Sequence, residues 1–442
     1  MSVVQDPAFE GWIEQQLGRS AAGMLACISP VAIVKQRPGF GQTVRPLAGA
    51  IVASPVLAAY DPDPDYFFHW FRDSAVVIDA LRLLHVDGRV GREALGHLRD
   101  FTRFSLALNR LDGRIDAARA DRRVGVASDF LQFVRDDAEL ATVHGDAVAA
   151  EARVNPDGTL DVSKWSRPQH DGPPLRAIAL LRWLAMPGID AALAADLDTL
   201  IRFDLGFTLR HWREPSVDIW EEESGHHYYT LRVAAAALAA GAAWLAATAE
   251  AARLRDEANE IRRRLDAFWL ADAGYYRSRV RADGAASSKA LDIAVILSAI
   301  HADEGAGAHG PADPRMHATL ARLEALFDAA YPINLGRAAG RGPAMGRYAG
   351  DVYYSGGAYY FSTLGAAEFC FRAAAYGPDA SAWFERGDAY LATVRDHTPA
   401  SGELAEQFDQ KTGAQTSAKQ LGWSHAAFIS TIAARRAASA LR

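Results

Sequence analysis

Residues 233–249 are small and apolar on every side, and the segment that follows them is apolar on one side only. From Leu254 the apolar positions Ala258, Ile261, Leu265 and Phe268 advance by four, three, four and three, with Arg262, Arg263 and Asp266 on the opposite face. A 3.6-residue period makes this second segment an amphipathic helix covering something, and makes the first a helix packed all round. One enclosed helix followed directly by one half-exposed helix predicts two concentric layers. The same periodicity recurs at 74–84, 92–108, 175–183, 291–300, 314–327, 361–376 and 424–438. Asp313-Pro314 supplies one helix start, a side-chain cap followed by proline at the first helical position. Strand-like alternation is confined to short pieces such as Gly274-Tyr275-Tyr276-Arg277-Ser278, so an all-α fold is expected.

Composition narrows the function classes. With 50% hydrophobic and 23% charged residues the chain is ordinary globular material, and no low-complexity linker divides its 442 residues. A net charge of −7 provides no attraction for nucleic acid or an anionic membrane, whereas neutral sugars suit it. The apolar run at 233–249 is mostly alanine and shorter than the ~20 residues of a membrane span. Met1-Ser2-Val3-Val4-Gln5-Asp6-Pro7 lacks a basic start followed by an apolar run, which predicts a cytoplasmic protein. Cys27 and Cys370 are too few for a disulfide framework and read as buried thiols.

Gly and Pro collect at 61–65, 155–174, 305–314 and 336–350, and the adjoining loops are too aromatic for ordinary solvated turns. Aromatic faces cover the apolar faces of sugar rings while Arg, Asp and amides bond the hydroxyls, so these loops predict a carbohydrate site at one rim of a helical barrel. Two carboxylate clusters stand out, Asp218-Ile219-Trp220-Glu221-Glu222-Glu223-Ser224-Gly225 and Ala405-Glu406-Gln407-Phe408-Asp409. Glycoside hydrolysis needs such a pair, one group to protonate the leaving oxygen and one to activate water. Three successive carboxylates in a cleft predict that Glu221 holds its proton to higher pH while Glu406 stays ionised. An inverting pair stands ~6.5–9.5 Å apart to leave room for the water.

Blander readings compete with these. Glu222 and Glu223 also read as N-terminal charges of a helix starting at His226, Arg72-Asp73 as a capping ion pair, and Trp165, Trp70 and Tyr66 as core. Gly305-Ala306-Gly307-Ala308-His309-Gly310 has dinucleotide-binding glycine spacing without the strand and helix that give it a mechanism. His226-His227 lacks the spacing of a zinc helix, leaving a zinc-dependent helical barrel as a minor alternative, and no nucleophile elbow is present. No metal or cofactor is expected.

The motifs also resemble a known family. Gly49 to Pro55, Pro64-Asp65-Tyr66-Phe67 through Trp70 to Arg72-Asp73-Ser74, Arg167-Pro168-Gln169 with Asp171-Gly172-Pro173, Asp218-Ile219-Trp220-Glu221-Glu222, Gly346-Arg347-Tyr348 with Asp351, and Glu406-Gln407-Phe408-Asp409 with Trp423-Ser424 look like the successive motifs of the glucoamylase family, glycoside hydrolase family 15. The resemblance implies an (α/α)6 barrel whose pocket admits the non-reducing end of an α-glucan and releases glucose with inversion. Glu221 matches the general acid and Glu406 the general base. Arg72 and Asp73 match residues gripping the terminal glucose, and Arg347 one spanning the two sugars at the cleavage point. Trp165 and Trp70 match pocket aromatics, Tyr66 a tyrosine beside the base, and Glu222 a carboxylate serving the second sugar. Ile219 stands where leucine is usual and acts through its backbone; Trp220 joins the substrate-binding set.

Departures bear on specificity. Phe68, His69 and Phe71 replace more polar residues around Trp70, and Tyr359 falls where a tryptophan often lines the second-sugar site. These leave α-1,4, α-1,6 (glucodextranase-like) and trehalose linkages open, with a catalytically silent carbohydrate-binding protein as the reading from a different class. With Arg72-Asp73 arriving so early, a single barrel over 1–442 is expected, without an N-terminal β-domain or a starch-binding domain, acting on soluble oligosaccharide.

Overall fold

The computed structural model describes residues 7–59, 62–377 and 379–441. Asp61 and the start of the chain through Asp6, both used in the sequence reading, lie outside them. Among the described residues twelve helices of nine residues or more are present: α1 Pro7–Leu25, α2 Phe71–Val86, α3 Glu93–Leu108, α4 Gly172–Leu184, α5 Ala191–His211, α6 Tyr228–Trp244, α7 Ala249–Asp266, α8 Ala294–Ala302, α9 Pro314–Ala330, α10 Tyr360–Tyr376, α11 Ala380–His397 and α12 Gly422–Ala440. Every second one belongs to an inner ring, in which α2 packs on α4, α4 on α6, α6 on α8, α8 on α10, α10 on α12, and α12 returns to α2. The intervening helices clad this ring, α1 on α12, α5 on α4, α7 on α6, α9 on α8 and α11 on α10, with α3 bridging α2 and α5. This closed double layer is an (α/α)6 barrel.

Side-chain size explains which helices are inside. In α6 the whole run from Tyr228 through Leu238 is buried, and α10 is buried nearly throughout. By contrast α7 buries only Ala251, Leu254, Ala258, Ile261 and Leu265, the stripe set by its 3.6 period. Close approach demands small residues at two contacts. A Cβ on Gly241 of α6 would lie 2.5 Å from Leu205 of α5, and one on Gly365 of α10 would lie 2.4 Å from Leu297 of α8.

The run at 233–249 is not one helix. It breaks after Trp244, Ala246 turns left-handed at φ 56°, and the Thr248 side chain accepts the Ala251 N–H to start α7. Apolarity alone carries no boundary, whereas the cap does. Asp313 caps α9 as expected, with Pro314 at its first turn. Helices α1, α5 and α11 escaped the periodicity reading, although Asp190 caps α5 and its Leu193, Leu197, Leu200 and Ile201 are buried at helical spacing.

The loops entering the inner helices all open at one end of the barrel. Two- to four-residue strands tie them together, such as His69–Trp70 with Arg153–Val154, and Ser224–His227 between Ser216–Val217 and Arg279–Arg281. Residues expected to open a helix at His226 are thus a strand, and α6 begins at Tyr228. Glu222 and Glu223 are not first-turn charges of that helix.

Candidate active site

Asp218 organises the loop that carries the first carboxylate. Its side chain accepts the backbone N–H groups of Trp220 (2.7 Å), Glu222 (3.4 Å) and Glu223 (2.9 Å), an Asx-type turn built on one residue. Buried Arg279 locks it from behind, bonding Asp218 at 2.8 Å, Glu223 at 3.1 Å and Asp292. Asp292 in turn accepts the Trp220 indole N–H at 2.9 Å. The result is a left-handed Glu221, φ 68°, a conformation costly for a side chain other than glycine and concentrated at functional positions. The Glu221 N–H donates to Asp218 O at 2.9 Å and Ser166 Oγ donates to the Glu221 carbonyl at 2.6 Å, which hold the residue there.

The Glu221 carboxylate faces inward. Oε1 accepts the Trp70 indole N–H at 2.8 Å and lies 3.5 Å from Arg72 Nη2, and Oε2 accepts the Trp165 indole N–H. The three consecutive carboxylates do not share a space, contrary to the sequence expectation. Glu222 turns to Arg347 (3.2 Å), Tyr348 (2.6 Å) and Lys289 (2.5 Å), and Glu223 to Arg279, Arg281 and Ser287. Each neighbour has its own cation, so the three carboxylates do not crowd one another.

Glu406 precedes α12 and is buried, its Oε1 accepting the Tyr66 hydroxyl at 3.2 Å and its Oε2 the Ser417 hydroxyl. Burial pushes its pKa up to about 7, against the opposing pull of Ser417, Arg347 and Tyr66. Burial thus works against the ionised state that the sequence reading expects of it. Tyr66 also shares a 2.9 Å hydrogen bond with the Tyr353 hydroxyl.

One aromatic pair separates the two carboxylates. The rings of Tyr66 and Trp70 lie 5.2 Å apart, one bonded to Glu406 and the other to Glu221. Both carboxylates line one pocket, with Arg72, Asp73, Ile219, Trp220 and Arg347. Trp220, Phe361 and Trp423 close its floor as a stack, Phe361 and Trp423 with centroids 4.4 Å apart and planes 9° from parallel. Arg72 reaches Gln169 (3.1 Å) and Asp171 (3.2 Å), but its Nε stands 3.6 Å from Asp73 Oδ2, and neither atom has a hydrogen-bond partner among the described residues. Burial also raises Asp73 to about 6, partly offset by Arg72.

The remaining sequence-selected residues stand farther back. Trp165 sits on the lip, 37% exposed, with the Arg153 guanidinium 3.6 Å from its ring centroid. Tyr359 is buried behind Arg347, its hydroxyl donating to Asp351 at 3.2 Å and accepting from Gln407 at 2.9 Å. Glu222 is held in the Arg347–Tyr348–Lys289 cluster rather than on the pocket wall. The departures around Trp70 also lie behind the wall: Phe68 is clamped between Arg37 and Arg153, His69 accepts the Ile51 N–H at 3.0 Å, and Phe71 packs in a separate small core. Sequence reading missed Ser417, Phe361 and Lys289, which approach these residues by tertiary contact and carry no local signal. Ser417 is itself left-handed at φ 63°.

Comparison with known proteins assigns the chain to a family. Residues 39–105, 150–383 and 374–433 match the family described as Glycosyl hydrolases family 15, and the chain belongs to that family. A glucoamylase of Neurospora crassa is 29% identical over 88% of this chain and 64% of its own length, so the chain spans less than two thirds of that relative. Glucoamylase 1 of Rhizopus oryzae is 26% identical over 97% of the chain and 71% of its own length. Among solved structures, Hormoconis resinae glucoamylase aligns with a TM-score of 0.74 at 26% identity, covering 96% of this chain and 73% of that one. Hypocrea jecorina glucoamylase shares the fold with a TM-score of 0.77 at 24% identity, covering 97% and 72%. Among the described residues no helix is long and apolar enough to cross a membrane.

Proposed function

We propose that the protein is an inverting, exo-acting α-glucosidase of the glucoamylase type, releasing glucose from the non-reducing ends of α-glucans or malto-oligosaccharides. The observation that carries this reading is the pair Glu221 and Glu406 on one pocket, tied to opposite members of the Tyr66–Trp70 pair. Glu221 protonates the glycosidic oxygen, its carboxyl oriented by the two indole N–H groups. Glu406, buried and oriented by Tyr66 and Ser417, takes a proton from water attacking the opposite face of the ring. Arg72 and Asp73, side by side on the pocket wall, grip the terminal glucose. The stacked floor makes the pocket a dead end, which suits a chain terminus and supports exo action. Arg347, held bidentate by Asp351 at 2.7 and 2.6 Å, spans the cleavage point.

Glucose release from maltose, isomaltose and trehalose, measured side by side, tests the activity and fixes the linkage; no release from any of them favours a binding protein instead. NMR of the first product tests stereochemistry, since an α-linked substrate must yield β-glucose. Glu221→Gln and Glu406→Gln are each expected to lose about 10²–10⁴-fold in kcat or more while still binding sugar. Near-normal turnover in either variant rejects its role.

A further inference from the structure

The inner helices do not fill their barrel. Behind the floor stack, among the inward faces of α2, α4, α8, α10 and α12, lies a second hollow of about 310 Å3. Protein interiors are close-packed and few voids exceed a water molecule, so a space of this size reflects residue choice. Here the choice is alanine: Ala75, Ala80, Ala179, Ala426, Ala433 and Ala437 face it where leucines would close it. Phe361 and Trp423 line this hollow and the catalytic pocket alike, so one aromatic layer divides the two.

The wall is apolar beside one chain of ion pairs. Asp79 pairs with Arg82 at 2.7 Å and with Arg182, Arg182 reaches Asp303 at 3.9 Å, and Arg372 pairs with Asp303 and with Glu368 at 2.7 Å. Three guanidinium groups match three carboxylates, so the formal charges of the lining cancel. His301 adds a ring kept neutral by burial, its pKa pushed down to about 3, with Nδ1 bonded to the Tyr229 hydroxyl at 2.7 Å. Among the described residues Arg82 is engaged only through Nε, so its two terminal nitrogens are open donors.

We infer that this hollow is a second sugar site, taking a neutral hydroxyl-rich molecule the size of a hexose or a short α-linked glucoside. A hydroxyl both donates and accepts, which lets one neutral ligand bond guanidinium donors and carboxylate acceptors in turn. Its C–H surfaces lie against the alanine, leucine and isoleucine walls. An anion meets three carboxylates, a cation three guanidinium groups, and an apolar ligand strips water from all six without replacing its hydrogen bonds. Glucose has the required chemistry, and its choice as probe rests on the reading under Proposed function, while the site itself does not.

Equilibrium dialysis of the full chain against radiolabelled glucose, with stoichiometry as the readout, tests the inference. Wild type is expected to bind two glucose molecules. Ala434→Trp, which fills the mouth of the hollow, is expected to bind one and to keep kcat/KM on maltose within about two-fold. Arg72→Ala, which disarms the catalytic pocket, is expected to bind one as well. Two molecules bound by Ala434→Trp, or a wild-type stoichiometry of one that Ala434→Trp retains, or none at all, overturns the second site. A single wild-type molecule that is lost in Ala434→Trp and kept in Arg72→Ala sinks the catalytic reading and leaves the second site standing. Should Ala434→Trp fail to fold by circular dichroism, Arg182→Gln, with loss of the same molecule, takes its place.

Discussion

With Glu406 as the proposed general base, catalysis is coupled to pH. A base must be ionised, and burial raises this one to about 7, so kcat/KM is expected to rise as pH increases through about 7 and to fall away below it. Ser417→Ala removes a hydrogen bond that favours the charged form and is expected to move that limb to higher pH; an unmoved limb in a kcat/KM profile assigns it to another group. Lys289 donates to Glu222, the carboxylate proposed to serve the second sugar, at 2.5 Å and lies 4.7 Å from the Tyr348 ring centroid. Lys289→Met is expected to change kcat/KM on maltose about ten-fold and on an aryl α-glucoside, whose leaving group offers no hydroxyls, less than about two-fold. Equal changes on both substrates assign Lys289 to folding alone.

The loop before α6 is the element that stores the cost of this chemistry. A left-handed Glu221 persists because Asp218 satisfies three backbone N–H groups and Arg279 ties Asp218, Glu223 and Asp292 together. Removing one partner of a buried ionic network strands the others, and Arg279→Met is expected to destabilise the fold by about 3–5 kcal/mol in denaturant titrations. Thr248→Ala, which deletes the cap that starts α7, is expected to cost about 1 kcal/mol by the same measurement. The carboxylate run at 221–223 was legible in the sequence. Its divergence onto separate cations was not, because Arg347, Lys289 and Arg281 approach from other loops.

For the whole molecule, the pocket is a liability to stability. A carboxylate whose folded pKa is raised binds more protons folded than unfolded, so its contribution falls as pH rises from the ordinary carboxylate range through the folded value. Glu406, at about 7, weakens the fold progressively up to about pH 7. Glu406→Gln is therefore expected to be more stable than wild type at pH 8, by roughly 1–3 kcal/mol, and to show no gain near pH 4. Thermal melts at the two pH values check this, and a gain of equal size at both contradicts it.

Periodicity alone announced the double helical layer, since burial on all sides and burial on one side leave different patterns in a helix. Residue type and order likewise located the acidic clusters, the aromatic loops and Arg72-Asp73, because each belongs to a contiguous motif. Only the tertiary structure decided that Glu221 and Glu406 line one pocket across Tyr66 and Trp70, that Tyr359 and Phe68 stand behind its wall, that Ser417 reaches Glu406, and that Lys289 reaches Glu222. The reason is that helix closure joins loops separated by most of the chain. Side-chain direction, burial and the hollow left by small residues arise from that closure and have no counterpart in local sequence.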